Sequence, residues 1–327
     1  MTQPAFIRPH APYEFRDLAR NIQSGLDTSL ASGDRRLVLP SGGVTVVAGS
    51  PGEGKTSLML NLLCNLIRSN PERRFCYLSF EEPSLFLALK LLMIGSDVQL
   101  RRDNFAAFIE HFRESSWDPA DEKDPRLARA LEEFNTWTRD DRLCLLSPDT
   151  DLFSLTRELK GLADPAIGAV FVDYVQKVRL PPMPHVRERY LQLQLVSEDL
   201  RHLAEALRAP VVVGAQLSRS ARGWPPTLDH IRESSDVGQD ATMVLALKRE
   251  RRAEGETETM KVHVLKDRRG PAHFDFAFAF RGATYRVSSL TAGEAKKAVR
   301  EAKRGVAEGG AWLPLGSEAA ETLVVWQ

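Results

Sequence analysis

The residues Gly49-Ser50-Pro51-Gly52-Glu53-Gly54-Lys55-Thr56 carry the most specific chemical signal in the chain, that of a Walker A loop. Glycines let successive backbone N–H groups turn inward on phosphates, at the start of a helix whose N-terminus favours anions. Lys55 is placed to reach the β- and γ-phosphates of ATP. Thr56 is placed to set its hydroxyl on Mg²⁺, a hard ion that prefers oxygen ligands and keeps several waters. The expected binding stretch is Gly49, Ser50, Pro51, Gly52, Glu53, Gly54, Lys55, Thr56 and the adjoining Ser57. An apolar strand before the loop and an apolar helix after it argue against a chance glycine-rich turn.

Asp173 ends the run Ala169-Val170-Phe171-Val172, where a carboxylate would come within reach of the same metal. Many parallel strands end in an unremarkable Asp, but folds with such a loop bind ligands beyond the carboxyl ends of their strands. Glu81 and Glu82 end Phe75-Cys76-Tyr77-Leu78-Ser79-Phe80 on that same rim. One of them is expected to orient the attacking water. The alternative is that both cap the next helix, since Glu82-Pro83-Ser84 suits a helix start.

The elements that must position these groups follow from the apolar pattern. Runs of four to seven residues alternate with helical periodicity, the signature of a parallel sheet covered on both faces. Strands are predicted at 44–48, 75–80, 143–146, 170–172, 211–215, 243–247, 262–265, 274–280 and 284–287. The last four are closely spaced, which predicts an antiparallel extension. Helices are predicted at 56–68, 84–93, 127–138, 152–162 and 187–208, with leucines recurring at three- and four-residue spacing. Residues 115–125 are polar and acidic and read as a surface loop. The three prolines of Leu180–Val186 exclude regular structure there. The expected fold class is α/β, a mostly parallel central sheet flanked by helices and closed by antiparallel strands. Residues 1–43 read as an arm with a short helix at Tyr13–Ile22, 44–290 as the main domain, and 291–327 as a helix (292–304) and tail.

Of the 327 residues, 43% are hydrophobic and 27% charged, the composition of a globular protein, and no apolar stretch approaches the ~18 residues of a membrane span. The N-terminal segment shows no leader pattern, so a cytoplasmic protein without membrane partners is expected. Lys plus Arg balance Asp plus Glu at 44 each, so nucleic-acid binding would have to come from local loops. Cys64, Cys76 and Cys144 lack metal-ligand spacing and read as core residues.

Six segments together go beyond a superfamily motif: GSPGEGKT, YLSFEEP, FVDYVQ, PVVVGAQLSRS, IRESSDVGQDA and KDRRGP. In their order and spacing, from about Gly25 to Ser288, the chain resembles the RecA-like motor domain of DnaB-type replicative helicases. The resemblance implies a RecA-like P-loop ATPase that hydrolyses ATP with Mg²⁺. It also implies a homo-oligomer, a hexameric ring, translocating 5′ to 3′ on single-stranded DNA during replication of a chromosome, plasmid, phage or other mobile element. It makes Glu81 the catalytic glutamate, Asp173 the support of the metal and Gln216 the sensor of the γ-phosphate. Lys266 and Arg268 match the pair that reaches across the subunit interface, Arg268 as arginine finger; Arg269 stands where the family commonly has Asn.

Arg232, Glu233 and Ser235 match a loop that holds the DNA backbone, with Ser235 in place of the usual Gly, while Arg219, Arg222 and Trp224 supply cations and an aromatic platform suited to a single strand. A solvated basic turn at Lys266–Arg269, a surface ion pair at Arg232 and a Gln216 satisfied by backbone are the plainer alternatives. The family's N-terminal collar domain, which contacts primase, is expected to be missing, and loader and primase remain unidentified. Two rivals stand beside the helicase: a DNA-stimulated recombination mediator similar to RadA, and a regulatory ATPase switch that binds a protein partner.

Overall fold

The computed structural model describes residues 25–100, 124–162, 166–181, 186, 188–218, 225–231, 235–250 and 257–298. Two short strands, β1 (Leu26–Ser32) and β2 (Arg35–Leu39), form an antiparallel hairpin. The main sheet then unfolds along the chain as β3 (Val44–Gly49), β4 (Arg74–Ser79), β5 (Leu143–Leu146), β6 (Ile167–Asp173) and β7 (Val211–Gln216). It continues through β8 (Met243–Glu250), β9 (Glu258–Asp267), β10 (Asp275–Arg281) and β11 (Arg286–Ser288). The helices are α1 (Lys55–Ser69), α2 (Ser84–Ser96), α3 (Pro125–Arg139), α4 (Leu152–Gly161), α5 (Arg189–Leu207) and α6 (Ser235–Asp240).

The nine-stranded sheet runs β11-β10-β9-β8-β3-β7-β6-β4-β5. From β8 to β5 all neighbours pair parallel, and β9, β10 and β11 add antiparallel. This is the mostly parallel α/β sheet with an antiparallel extension that the apolar runs predict. Alternate strand residues feed two cores. Val47, Phe75, Tyr77 and Phe171 pack with α1, α2, α3 and the hairpin, while Val46, Leu78, Val170 and Val172 pack with α4, α5 and α6. Parallel strands buried on both faces need apolar residues at every position, which is why β3, β4 and β6 are buried throughout.

Helix starts follow local chemistry. Asp124 accepts from the Arg126 N–H at 2.9 Å with Pro125 in the first turn of α3, and Asp151 accepts from the Ser154 N–H at 3.0 Å to open α4. Helix α1 has no such side-chain cap. Its first N–H groups are left for another partner.

Three local expectations change. Residues 26–39, read as arm, are the hairpin: Leu30, Leu37 and Leu39 are buried in the core shared with α1, and Asn65 Nδ2 donates to the Thr28 carbonyl at 3.0 Å. The final strand starts later than predicted, because 282–284 form a tight helical turn and Tyr285 takes φ 54° before Arg286. Helix α2 runs three residues past its predicted end. The predicted helices at 13–22 and beyond residue 298, and the loops at 115–123 and 182–185, lie outside the described residues. Residues 180, 181 and 186 are neither helix nor strand, and 292–298 are helical. The three cysteines are unbridged, with Cys64 and Cys76 buried and Cys144 half-buried. No helix among the described residues is long and apolar enough to cross a membrane.

Candidate functional site

The loop from Gly49 to Thr56 leaves the carboxyl end of β3 and enters α1 with Gly52 at φ 79° and Gly54 at φ 91°. Side chains other than glycine rarely adopt such angles. Lys55 Nζ donates to the carbonyls of Gly49 at 2.9 Å and Ser50 at 3.2 Å, so the ammonium is folded over the loop it follows. Burial pushes its pKa down, against the opposing pull of Asp173, Glu81 and Glu53. Lys55 lines a cavity of about 330 Å³ together with Pro51, Gly52, Gly54, Thr56 and Ser57.

Asp173 is the last residue of β6 and is only 3% exposed. Its Oδ2 accepts two bonds, from Thr56 Oγ1 at 2.7 Å and from the Tyr77 hydroxyl at 2.8 Å, whereas the buried Oδ1 has no protein partner. Burial pushes the Asp173 pKa up, and the two hydroxyl donors oppose it. A threonine hydroxyl that gives its proton to Asp173 turns its lone pairs elsewhere, here toward the cavity that both residues line. One hydroxyl and one unpartnered carboxylate oxygen fit a hard divalent cation completed by phosphates and water. Among the described residues no group of three or more His, Cys, Asp and Glu offers an all-protein cage instead.

Glu81 and Glu82 follow β4, whose Ser79 pairs in register with Asp173. The structure gives them different surroundings. Lys90 Nζ, on α2, donates to Glu82 Oε1 at 2.6 Å, and the Glu82 N–H donates to Ser79 Oγ at 2.9 Å. Among the described residues nothing hydrogen-bonds or pairs with Glu81, which lines the same cavity as Lys55. Partial burial pushes its pKa up, reinforced by Asp173 and opposed by Lys177 and Lys55. Gln216 closes β7, in register with Gly49, and its side chain faces the same cavity while its N–H donates to Gln176 Oε1 at 3.2 Å. The adjacent parallel strands β3, β7, β6 and β4 thus deliver Lys55, Gln216, Asp173 and Glu81 to one rim.

Lys266 and Arg268 lie elsewhere. Asp267 pairs with Met243, and Met243 with Thr45, so this turn sits at the amino end of β3, roughly 13 Å of strand from Gly49 at ~3.3 Å per residue. Both cations cap the carboxyl end of α6: Lys266 Nζ donates to the Gly238 carbonyl at 3.2 Å and Arg268 to the Gln239 carbonyl at 2.8 Å. Burial lowers the Lys266 pKa and Arg268 adds to it. Neither side chain lines the cavity of its own chain. Ser235 opens α6, while Arg219, Arg222, Trp224, Arg232 and Glu233 lie outside the described residues.

Two contributors went unnoticed in the sequence. Tyr77 bonds Asp173 from inside an apolar strand. Arg249, at the end of β8, holds the loop from the other flank: its N–H donates to the Glu53 carboxylate and its guanidinium to the Gly52 carbonyl at 3.1 Å. That guanidinium also pairs with Glu258 at 2.7 Å and stacks over Phe280 at 4.8 Å. Phe280 and Tyr285, from the antiparallel extension, close the cavity beside it.

The DnaB-like helicase C terminal domain family model matches residues 25–289. A probable plasmid replicative DNA helicase of Chlamydia psittaci is 27% identical over 246 residues, covering 72% of this chain and 49% of that one. The replicative DNA helicase DnaB of Rickettsia prowazekii is 26% identical over 243 residues, covering 69% and 46%. The chain spans about half the length of the curated relatives it matches. Among solved structures, the ATPase domain of G40P superposes with TM-score 0.61 at 23% identity, covering 76% of this chain and 84% of that one. A DnaB-like replicative helicase studied with its primase interactions gives TM-score 0.60 at 23% identity, covering 76% and 58%. The fold is therefore that of the RecA-like DnaB ATPase domain, and the chain belongs to the DnaB-like helicase C terminal domain family.

Proposed function

We propose that this family member is the ATP-driven motor of a replicative DNA helicase, a homo-hexameric ring that moves 5′ to 3′ along single-stranded DNA. One observation supports it most: an unpaired Glu81 faces Lys55, Thr56, Asp173 and Gln216 across a cavity at the head of an uncapped helix. The N–H groups of the loop and the start of α1 hold the phosphates of ATP, and Lys55 swings from the carbonyls of Gly49 and Ser50 to the β- and γ-phosphates. Thr56 and Asp173 hold Mg²⁺, which neutralises charge on the phosphates when bound. Glu81 orients the attacking water and accepts its proton, a task that its upward-shifted pKa suits. Glu82, engaged by Lys90, is left to fix the turn. Gln216 reports the γ-phosphate to the segments that follow β7.

Arg268 acts on a neighbouring copy. At the opposite end of the strands it cannot serve its own loop, and its planar, permanently charged fork suits phosphate oxygens. Because Lys266 and Arg268 also cap α6, phosphate contact by this pair is transmitted to the helix that begins at Ser235, next to Arg232 and Glu233 in the chain. Those residues, with Arg219, are the proposed contacts to the DNA backbone.

Unwinding of forked DNA tests the function. Strand separation should need ATP and a 5′ single-stranded tail, with ATPase activity rising on single-stranded DNA. Unwinding from a 3′ tail alone would refute the polarity. DNA-stimulated hydrolysis without unwinding would instead indicate a mediator, and hydrolysis indifferent to DNA a regulatory switch.

A further inference from the structure

The carboxylate at the end of β6 receives a hydroxyl donor that the nucleotide reading does not use. Tyr77 sits mid-strand in β4, in register with Phe171 of β6, and their rings stack with centroids 5.8 Å apart and planes at 12°. Its side chain is 0% exposed and packed among apolar neighbours. A buried phenol needs a hydrogen-bond partner, and Asp173 Oδ2 supplies it at 2.8 Å. Thr56 donates to that same oxygen, so both donors act on one side of the carboxylate and Oδ1 is left bare, in a space bounded by Gly214. A Cβ added at Gly214 would come within 3.0 Å of Oδ1. Glycine there leaves room around the bare oxygen.

We propose that Tyr77 is a positioning residue for metal-assisted nucleotide binding, its hydroxyl fixing Asp173 so that Oδ1 faces the water shell of the cation. The inference rests on the nucleotide–Mg²⁺ reading of the site. Thr56 has two tasks, since its oxygen must also serve as a ligand; Tyr77 has one. Its ring is enclosed among apolar side chains and cannot follow the metal, and its distance from solvent prevents water from replacing it. Loss of the hydroxyl therefore frees the carboxylate to rotate.

The test is Tyr77→Phe, which keeps the ring and deletes one oxygen. Binding of a fluorescent ADP analogue is measured in EDTA and across a Mg²⁺ titration, with thermal unfolding of each protein alongside. Expected is unchanged affinity in EDTA and a fall of about tenfold in the gain that Mg²⁺ confers, the size of one hydrogen bond to a charged group. Phe171→Leu, which removes the stacking ring and keeps the hydroxyl, should lower the unfolding temperature yet retain the Mg²⁺ gain. An unchanged gain in Tyr77→Phe overturns the proposal, as does lost affinity in EDTA or an equal loss of the gain in Phe171→Leu. If the parent protein binds the analogue without any Mg²⁺ gain, this inference fails alone. If it binds no nucleotide at all, the underlying reading fails with it.

Discussion

Replacing Gly54 by alanine puts a number on the geometry of the phosphate loop. Gly54 has φ 91° and ψ 27°, and a left-handed backbone costs an L-residue roughly 1–2 kcal/mol. The added Cβ would lie 2.7 Å from Met260 Cε, the end of a flexible side chain that can turn aside for about 0.5–1.5 kcal/mol. Alanine also restricts the unfolded chain, which returns about 0.4–1 kcal/mol. The net penalty is about 2 kcal/mol at the middle of these ranges. If the loop keeps its shape, unfolding free energy in urea falls by that amount and ADP affinity is preserved. If it relaxes, stability is preserved and affinity falls about 25-fold, at tenfold per 1.4 kcal/mol. Urea titration and ADP binding on the same samples should give losses that sum to the penalty. Gly161→Ala is the control, since nothing lies within 4 Å of the new Cβ at the end of α4, and it should be neutral or stabilising by up to about 1 kcal/mol. Unchanged stability together with unchanged affinity in Gly54→Ala would refute the reasoning.

Glu81→Gln should bind ATP normally and turn over about 10²–10⁴-fold more slowly, the usual contribution of a positioned base, whereas Glu82→Gln should lose far less because Glu82 is held by Lys90. Steady-state ATPase rates decide, and the reverse ranking would move the role to Glu82. Asp173→Asn should lose the Mg²⁺-dependent part of nucleotide binding and yet resist urea better than the parent at neutral pH. Because burial raises the Asp173 pKa in the folded protein, the ionised form destabilises the fold as pH rises through that value, so the advantage of Asn should shrink on acidification; urea midpoints from pH 4 to 8 that showed the opposite trend would contradict the assignment.

The sheet was legible because strands buried on both faces leave unbroken apolar runs, as at Val44–Gly49 and Ile167–Asp173. The hairpin was not. Its segments LDTSLAS and RRLVL bury the polar Thr28 and expose the apolar Val38, which blurs the alternation, and they are too short to stand out from a loop. Within the site, the phosphate loop is contiguous in sequence and therefore visible. Tyr77 looked like one more apolar strand residue, because its partner lies 96 residues away. Arg249 sat in a charged run just past the predicted strand 243–247, 196 residues from the glutamate its N–H contacts. The residues alone left the choice between Glu81 and Glu82 open and only the family resemblance picked Glu81; the Lys90 pairing of Glu82 required the turn between β4 and α2 to be in place.

The central claim is that each ATP site is shared, with Lys55, Thr56, Glu81 and Asp173 on one copy and Arg268 supplied by the next. The direct measurement is ATPase activity after mixing Lys55→Ala with Arg268→Ala protein under conditions where subunits exchange. Each variant alone should be inactive, Arg268→Ala by about 10³–10⁵-fold if the finger works as in other phosphoryl-transfer enzymes, with its nucleotide binding intact. In mixed assemblies some interfaces join an intact loop from the Arg268→Ala copy to an intact arginine from the Lys55→Ala copy. Partial recovery of activity is the predicted result; a fully active monomer of the parent protein would contradict the account.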